Sequence, residues 1–306
     1  MKKTYDGALI NKYSSIIKGY FPDIVPEHIT LFQDGYDHDV LLVNNSTAFR
    51  FPRTKDHGKK DRVENTFLPE FAKISPILVQ DMESHNDVML GITYQMYRFI
   101  PGIPLTKEFA QSLPEQELVR IAEEMGNFLT TLHSFPIEKA RSIGMDELDP
   151  KGYWKYFEDL YEKINVVTSS FLSKEENHWM EIQVRDYIIV TKGKLYDVKV
   201  THHDLLAEHI IVDKETHSLN GVIDFSLRIA DPARDFEFFD RYGDLFLQTV
   251  YKNYLPIDDF FDMRRKFYAG HVPVINLYES IERNDDKMTN IYLMELKQYI
   301  GVSGQM

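Results

Sequence analysis

The sequence predicts an α+β protein in two lobes: a small antiparallel β-sheet lobe with one helix over about 1–100, and a mostly helical lobe over about 101–306. Three observations predict it. Short apolar or alternating runs separated by turn residues fill the stretch from Ile29 to Ile100. The breaker Pro101-Gly102-Ile103-Pro104 then ends that pattern. Beyond it helical periodicities dominate, interrupted by three Val- and Ile-rich runs at 198–200, 209–212 and 219–223.

In chain order, Ala8, Leu9, Tyr13, Ile16, Ile17 and Tyr20 recur at three and four, so 5–20 is an amphipathic helix stopped by Phe21-Pro22-Asp23. Runs at 40–43 and 47–51 flank Asn44-Asn45-Ser46, a hairpin with the turn chemistry of Asn. Residues 59–73 read as a helix whose last turn Pro69 weakens. Residues 77–81 and 91–100 read as the last two strands of the small lobe, with Glu83–Asp87 as their polar turn. The clearest helix is 114–133: Pro114 opens it, acids follow, and Leu118, Ile121, Met125, Phe128 and Leu132 share one face. Further helices are expected over 152–170, 173–189, 235–254, 257–283 and 286–302, the second of these starting at a Ser173 cap.

The chemistry concentrates between Val200 and Asp235. Asp204, Asp213 and Asp224 each stand where one of the three apolar runs stops. One such Asp is ordinarily a turn residue. His202-His203-Asp204, four residues, His209, a hairpin and Ile223-Asp224-Phe225 together are harder to read that way. Phosphoryl transfer needs one acid to orient the attacking hydroxyl, and a second acid with a neutral ligand to hold Mg²⁺ on the nucleotide. Asp204 takes the first role, Asp224 is the main metal ligand and His209 the neutral one.

On these residues the chain resembles the aminoglycoside phosphotransferase family, a branch of the bilobal protein-kinase-like fold that also holds macrolide, choline and homoserine kinases. The family's His-Gly-Asp, four residues, then Asn or His stands here as His202-His203-Asp204 and His209. Its Ile-Asp-Phe-Gly stands as Ile223-Asp224-Phe225-Ser226. The branch most resembled phosphorylates the 2″-hydroxyl of aminoglycosides, and the macrolide 2′-kinases come next.

The resemblance implies further roles. Gly35 sits where a turn covers the nucleotide phosphates, although Gln33 replaces a second Gly. Arg50 is the cation for the α- and β-phosphates, with Glu64 as its acidic partner and Glu70 as the alternative. Backbone groups of Arg98, Phe99 and Ile100 hold the base, and Tyr97 stands behind it, which favours GTP somewhat over ATP. Asp235 ties the metal loop to the following helix, while Glu237, Asp240 and Asp244 border the acceptor, with Tyr278 and Glu279 as further candidates. The implied activity is Mg²⁺-dependent transfer of a γ-phosphoryl from GTP or ATP to a small-molecule hydroxyl. An aminoglycoside is the first acceptor, a macrolide the second and a choline-like metabolite the third. His203 and Ser226 replace glycines, and both replacements support the other class considered, a catalytically silent kinase-fold binding protein.

Composition narrows the partners. The net charge of −13 disfavours nucleic acid and suits a cationic acceptor. With no Cys, a reducing cytoplasm and a monomer without disulfides are expected. No apolar run reaches membrane-spanning length, and residues 1–13 lack a signal-peptide core. His202, His203 and His209 do not have the helical spacing of a zinc hydrolase, so zinc is set aside.

Overall fold

The computed structural model describes residues 3–4, 6–33, 38–53, 58–88, 91–193 and 196–303. The chain runs β1 (Lys3–Thr4), α1 (Gly7–Tyr20), β2 (Ile29–Phe32), β3 (His38–Val43), β4 (Thr47–Pro52), α2 (Gly58–Phe71), β5 (Glu83–Asp87) and β6 (Ile92–Arg98). It continues with β7 (Ile103–Pro104), α3 (Lys107–Ser112), α4 (Glu115–His133), α5 (Ile137–Ser142), α6 (Pro150–Thr168), α7 (Lys174–Gly193) and β8 (Lys199–Thr201). Last come β9 (Ile210–Val212), β10 (Leu219–Val222), β11 (Arg228–Ala230), α8 (Asp244–Lys252), α9 (Phe261–Glu282) and α10 (Asp286–Ser303). An antiparallel sheet ordered β1-β2-β3-β4-β6-β5 forms the small lobe. The large lobe is helical and carries two small sheets, β10-β9-β7 and β11-β8.

Strand period divides β4 between two jobs. Phe49 and Phe51 point to the outer face, fully buried with Tyr13, Ile16 and Ile17 of α1. Tyr13 lies flat on Phe51, with ring centroids 4.1 Å apart. Ala48 and Arg50 therefore face inward. The β3–β4 turn forms as expected, Asn44 and Asn45 both taking the left-handed backbone that Asn tolerates.

α2 belongs to the large lobe's core. Its Phe67, Leu68 and Phe71 are buried, and Phe71 packs edge-on against Phe128 of α4 and Phe225 of the metal loop. This burial carries the helix through Pro69 despite the missing backbone donor.

Two expectations are corrected. The fifth strand of the small lobe is Glu83–Asp87, read from sequence as a turn, and 77–81 is not a strand of that sheet. β5 is a sheet edge, largely open to solvent, so its polar composition hid it. The apolar run instead stitches the lobes together: Leu78 N–H donates to Asn220 O, and Val222 N–H donates to Leu78 O. Gly221 permits this crossing, since a Cβ there would meet Leu78 O at 2.5 Å. Gly102 plays the same part where the chain enters β7 beside β9, since at φ +143 a side chain there would run into Val212 O.

The second correction concerns 235–254, which is not one helix. It is two 3₁₀ turns, Pro232–Phe236 and Phe239–Tyr242, then α8, with Gly243 at φ +97 breaking the path. By contrast α4 buries the expected face, and Ser173 with Glu176 forms the reciprocal cap of α7 at 3.2 and 2.7 Å. Among the described residues no helix is long and apolar enough to cross a membrane.

Candidate functional site

The site is assembled around one buried carboxylate. Asp235 accepts the backbone N–H of His202 at 2.7 Å, that of His203 at 2.8 Å and the ring N–H of His133 at 3.0 Å. Burial alone would raise its pKa, but the bonds and charge from the histidines outweigh that and hold it below the ordinary carboxylate range. His133 is held in turn by the Tyr254 hydroxyl at 2.6 Å. The loop leaving β8 is thus pinned from beneath.

His202 then ties that loop to the metal loop. Its Nε2–H donates to Ile223 O at 3.0 Å, which leaves Nδ1 to accept Asp204 N–H at 3.3 Å. Burial lowers its pKa to about 4, so the ring is neutral and keeps this tautomer. Ser226 N–H returns a bond to His202 O, and Asp224 N–H donates to the Gln80 side chain at 2.8 Å. Asp224 sits at φ +60, a left-handed backbone that these bonds hold in place.

The consequence is that two carboxylates flank one imidazole. His209 donates Nδ1–H to the Asp204 backbone carbonyl at 2.7 Å. An Asp204 carboxylate oxygen lies 3.9 Å from that nitrogen, and an Asp224 oxygen lies 3.4 Å from Nε2. The side chains of Asp204 and Asp224 are 47% and 58% exposed, so both open to solvent from the same floor. Burial, helped by the Asp224 charge, raises the pKa of Asp204 above the ordinary range, which strengthens it as a proton acceptor.

In the neutral tautomer the Nε2 lone pair and the Asp224 oxygen are two acceptors facing each other without a donor between them. A cation bound by both satisfies them. Mg²⁺ fits such a partial donor set, because it keeps several waters and takes one or two protein ligands plus substrate phosphates. Among the described residues no group of three or more His, Asp or Glu side chains is placed to hold a metal ion by itself.

Above this floor Arg50 donates to Glu64 at 2.7 Å, both side chains being almost wholly buried. Burial alone would lower the Arg50 pKa, and the Glu64 carboxylate outweighs it. Glu70, the alternative partner, pairs with Lys139 on the surface instead. Tyr97 is buried on β6 opposite Ala48. Of the expected base-contacting segment, Ile100 is buried and Arg98 exposed, while the Phe99 N–H is already donated to Ser46 O and is not free for a base. Gly35 lies outside the described residues.

A cleft of about 490 Å³ reaches the catalytic loop at His203, the residue before Asp204, and is lined by Leu148, Gly152, Tyr153, Tyr156 and Arg228 among others. Glu237, Asp240, Asp244, Tyr278 and Glu279 do not line it. Glu237 is buried against Arg234 at 3.0 Å, and burial raises its pKa to about 7. Asp240 pairs with Arg265 at 3.2 Å and Glu279 with Arg283 at 2.8 Å. Asp244 is turned outward at the start of α8, and Tyr278 packs partly into the core.

Sequence reasoning missed Gln80 and His133, and although it expected the region 150–190 to wall the substrate site it singled out neither Tyr153 nor Tyr156. Gln80 had a signal, a polar residue closing an apolar run. The tyrosines had none beyond helical spacing.

Comparison with known proteins finds the same fold elsewhere. By fold, the chain matches a GDP complex of wild-type aminoglycoside 2'-phosphotransferase-IIIa at TM-score 0.84, with 21% identity over 96% of this chain and 99% of that one. A GDP and kanamycin complex of APH(2″)-IIia gives TM-score 0.82 at 21% identity, covering 95% and 98% of the two chains. A macrolide 2'-phosphotransferase type I gives 0.70 at 17% identity, covering 97% and 99%. An aminoglycoside 3'-phosphotransferase of Streptomyces ribosidificus is 26% identical over 132 residues, 43% of this chain and 46% of that protein, so the match spans about half of the curated relative. The sequence pattern of the phosphotransferase enzyme family matches residues 28–284, and the chain belongs to that family.

Proposed function

We propose that the protein transfers the γ-phosphoryl of GTP or ATP to a hydroxyl of a small molecule, with an aminoglycoside as the favoured acceptor. The observation that carries this is the pair of carboxylates on Asp204 and Asp224, both within 4 Å of a ring nitrogen of His209 and both about half exposed. Asp204 accepts or orients the proton of the attacking hydroxyl. Asp224 and His209 would hold Mg²⁺, which would supply neutralisation of charge on the transferring phosphate. Arg50, braced by Glu64, grips the nonreacting phosphates. Catalysis is then mainly positioning and charge stabilisation. The nucleotide lies between a lobe ending near Ile100 and a lobe beginning near Pro101. Tyr97, bulky and buried behind the base, favours GTP.

The acceptor class is supported by the net charge of −13 and by relatives described as aminoglycoside phosphotransferases. A macrolide is the second reading, favoured by the aromatic wall of Tyr153 and Tyr156 at the cleft. A phosphate-transfer assay with GTP and ATP against a panel of kanamycin-type and macrolide acceptors tests both. Transfer to a panel member with Mg²⁺ is expected. Nucleotide binding without transfer to any member would return the protein to the class of silent binders.

A further inference from the structure

The proposed transfer uses Asp204, Asp224 and His209 and leaves the imidazole of His203 idle. That residue is held at φ +67, its N–H bound to Asp235. A glycine would take this backbone at no steric cost, and an ordinary side chain resists it. The side chain this backbone carries faces the cleft of about 490 Å³, across from Tyr153 and Tyr156. Those two rings are stacked, their centroids 5.6 Å apart and their planes 6° from parallel, and Tyr156 is 53% exposed, offering a flat face. Burial, helped by the nearby Arg234 charge, lowers the His203 pKa to about 3, so the ring offers one donor and one acceptor across the working pH range. It is half-buried, and neither ring nitrogen has a hydrogen-bond partner among the described residues.

His203 and Asp204 are consecutive, with Cα atoms about 3.8 Å apart. Two neighbouring side chains on one loop suit two neighbouring substituents on one ring. We propose that His203 is an acceptor-specificity residue: its imidazole hydrogen-bonds the hydroxyl or amine vicinal to the hydroxyl presented to Asp204. The acceptor class is therefore a cyclic vicinal diol or amino alcohol, its ring face laid along the tyrosines. The acids at this cleft do not supply the same contact, since Glu147 is clamped by Arg141 through two bonds of 2.7 Å and Asp149 caps the start of α6. This inference rests on the phosphotransfer reading above.

The test is steady-state kinetics of the full chain on its best panel acceptor and on an analogue lacking the vicinal group. The variants are His203→Gly, which fits the backbone, and His203→Asn, which tolerates it and keeps a donor and an acceptor. Expected are a rise of tenfold or more in acceptor KM for His203→Gly with the nucleotide KM within twofold, loss of preference over the analogue, and recovery of most of both in His203→Asn. An unchanged acceptor KM and preference in His203→Gly would overturn the inference alone. Absence of turnover by the unaltered chain on every acceptor would overturn the phosphotransfer reading as well.

Discussion

The proposed phosphate side and the proposed acceptor side of the site are built differently. On the phosphate side every reacting group is tied to backbone: Asp235 holds the loop of Asp204, Gln80 holds Asp224, and His209 is locked by its bond to Asp204 O. The proposed acceptor side is a wall of side chains from α6 and from residues 147–149, with Tyr153, Tyr156 and Phe157 of α6 in ring contact with one another. A phosphoryl group has one geometry, and its cradle is rigid. An acceptor is recognised by shape, and its wall rests on aromatic packing. Changes on the first side should abolish turnover or folding, whereas changes on the second should alter selectivity.

Substitutions can break or sharpen that contrast. The largest effect expected is from Asp204→Ala, a loss of about 10³-fold or more in kcat with nucleotide affinity little changed, read by transfer kinetics and nucleotide titration. Asp235→Ala strands two backbone donors and the His133 ring, and should cost about 3–5 kcal/mol in denaturant unfolding. Glu64→Gln removes the charge that braces Arg50 and should raise the nucleotide KM about tenfold, near 1.4 kcal/mol, while the acceptor KM holds.

On the acceptor side Tyr156→Ala should raise the acceptor KM several-fold, by about 1 kcal/mol, without moving the nucleotide KM. A separate effect concerns the pH dependence of stability. His271 of α9 lies behind the same wall, against Phe157 and Tyr161, and burial lowers its pKa to about 3. The unfolded chain therefore takes up the proton first, and this group's contribution is lost as pH falls from about 6.5. His271→Gln should flatten the stability-versus-pH curve by about 1 kcal/mol per unit between pH 6.5 and 4, while its slope above 7 stays the same.

The same contrast explains what was legible in the sequence. Asp204, His209 and Asp224 lie within one hairpin-containing stretch, so local order nearly fixes their geometry, and Arg50 was readable from strand alternation between Phe49 and Phe51. Glu64 followed as the acid on the next helix. The tyrosines of the proposed acceptor wall left no such mark, because Tyr153 and Tyr156 come to the same cleft as His203 only through tertiary packing across about fifty residues of chain. Glu237, Asp240 and Glu279 looked available as acids, and only the fold shows the arginines that occupy them. β5 was missed because an exposed edge strand has the composition of a turn, and 77–81 was misplaced because an apolar run does not say which sheet it joins.

The central claim is that Asp204 and Asp224 serve one groove in separate roles. Nucleotide binding measured with and without Mg²⁺ in Asp204→Ala and Asp224→Ala tests it most directly. The account predicts that Asp204→Ala keeps Mg²⁺-enhanced binding while Asp224→Ala loses the enhancement. Equal Mg²⁺ enhancement in both variants and the unaltered chain would contradict it.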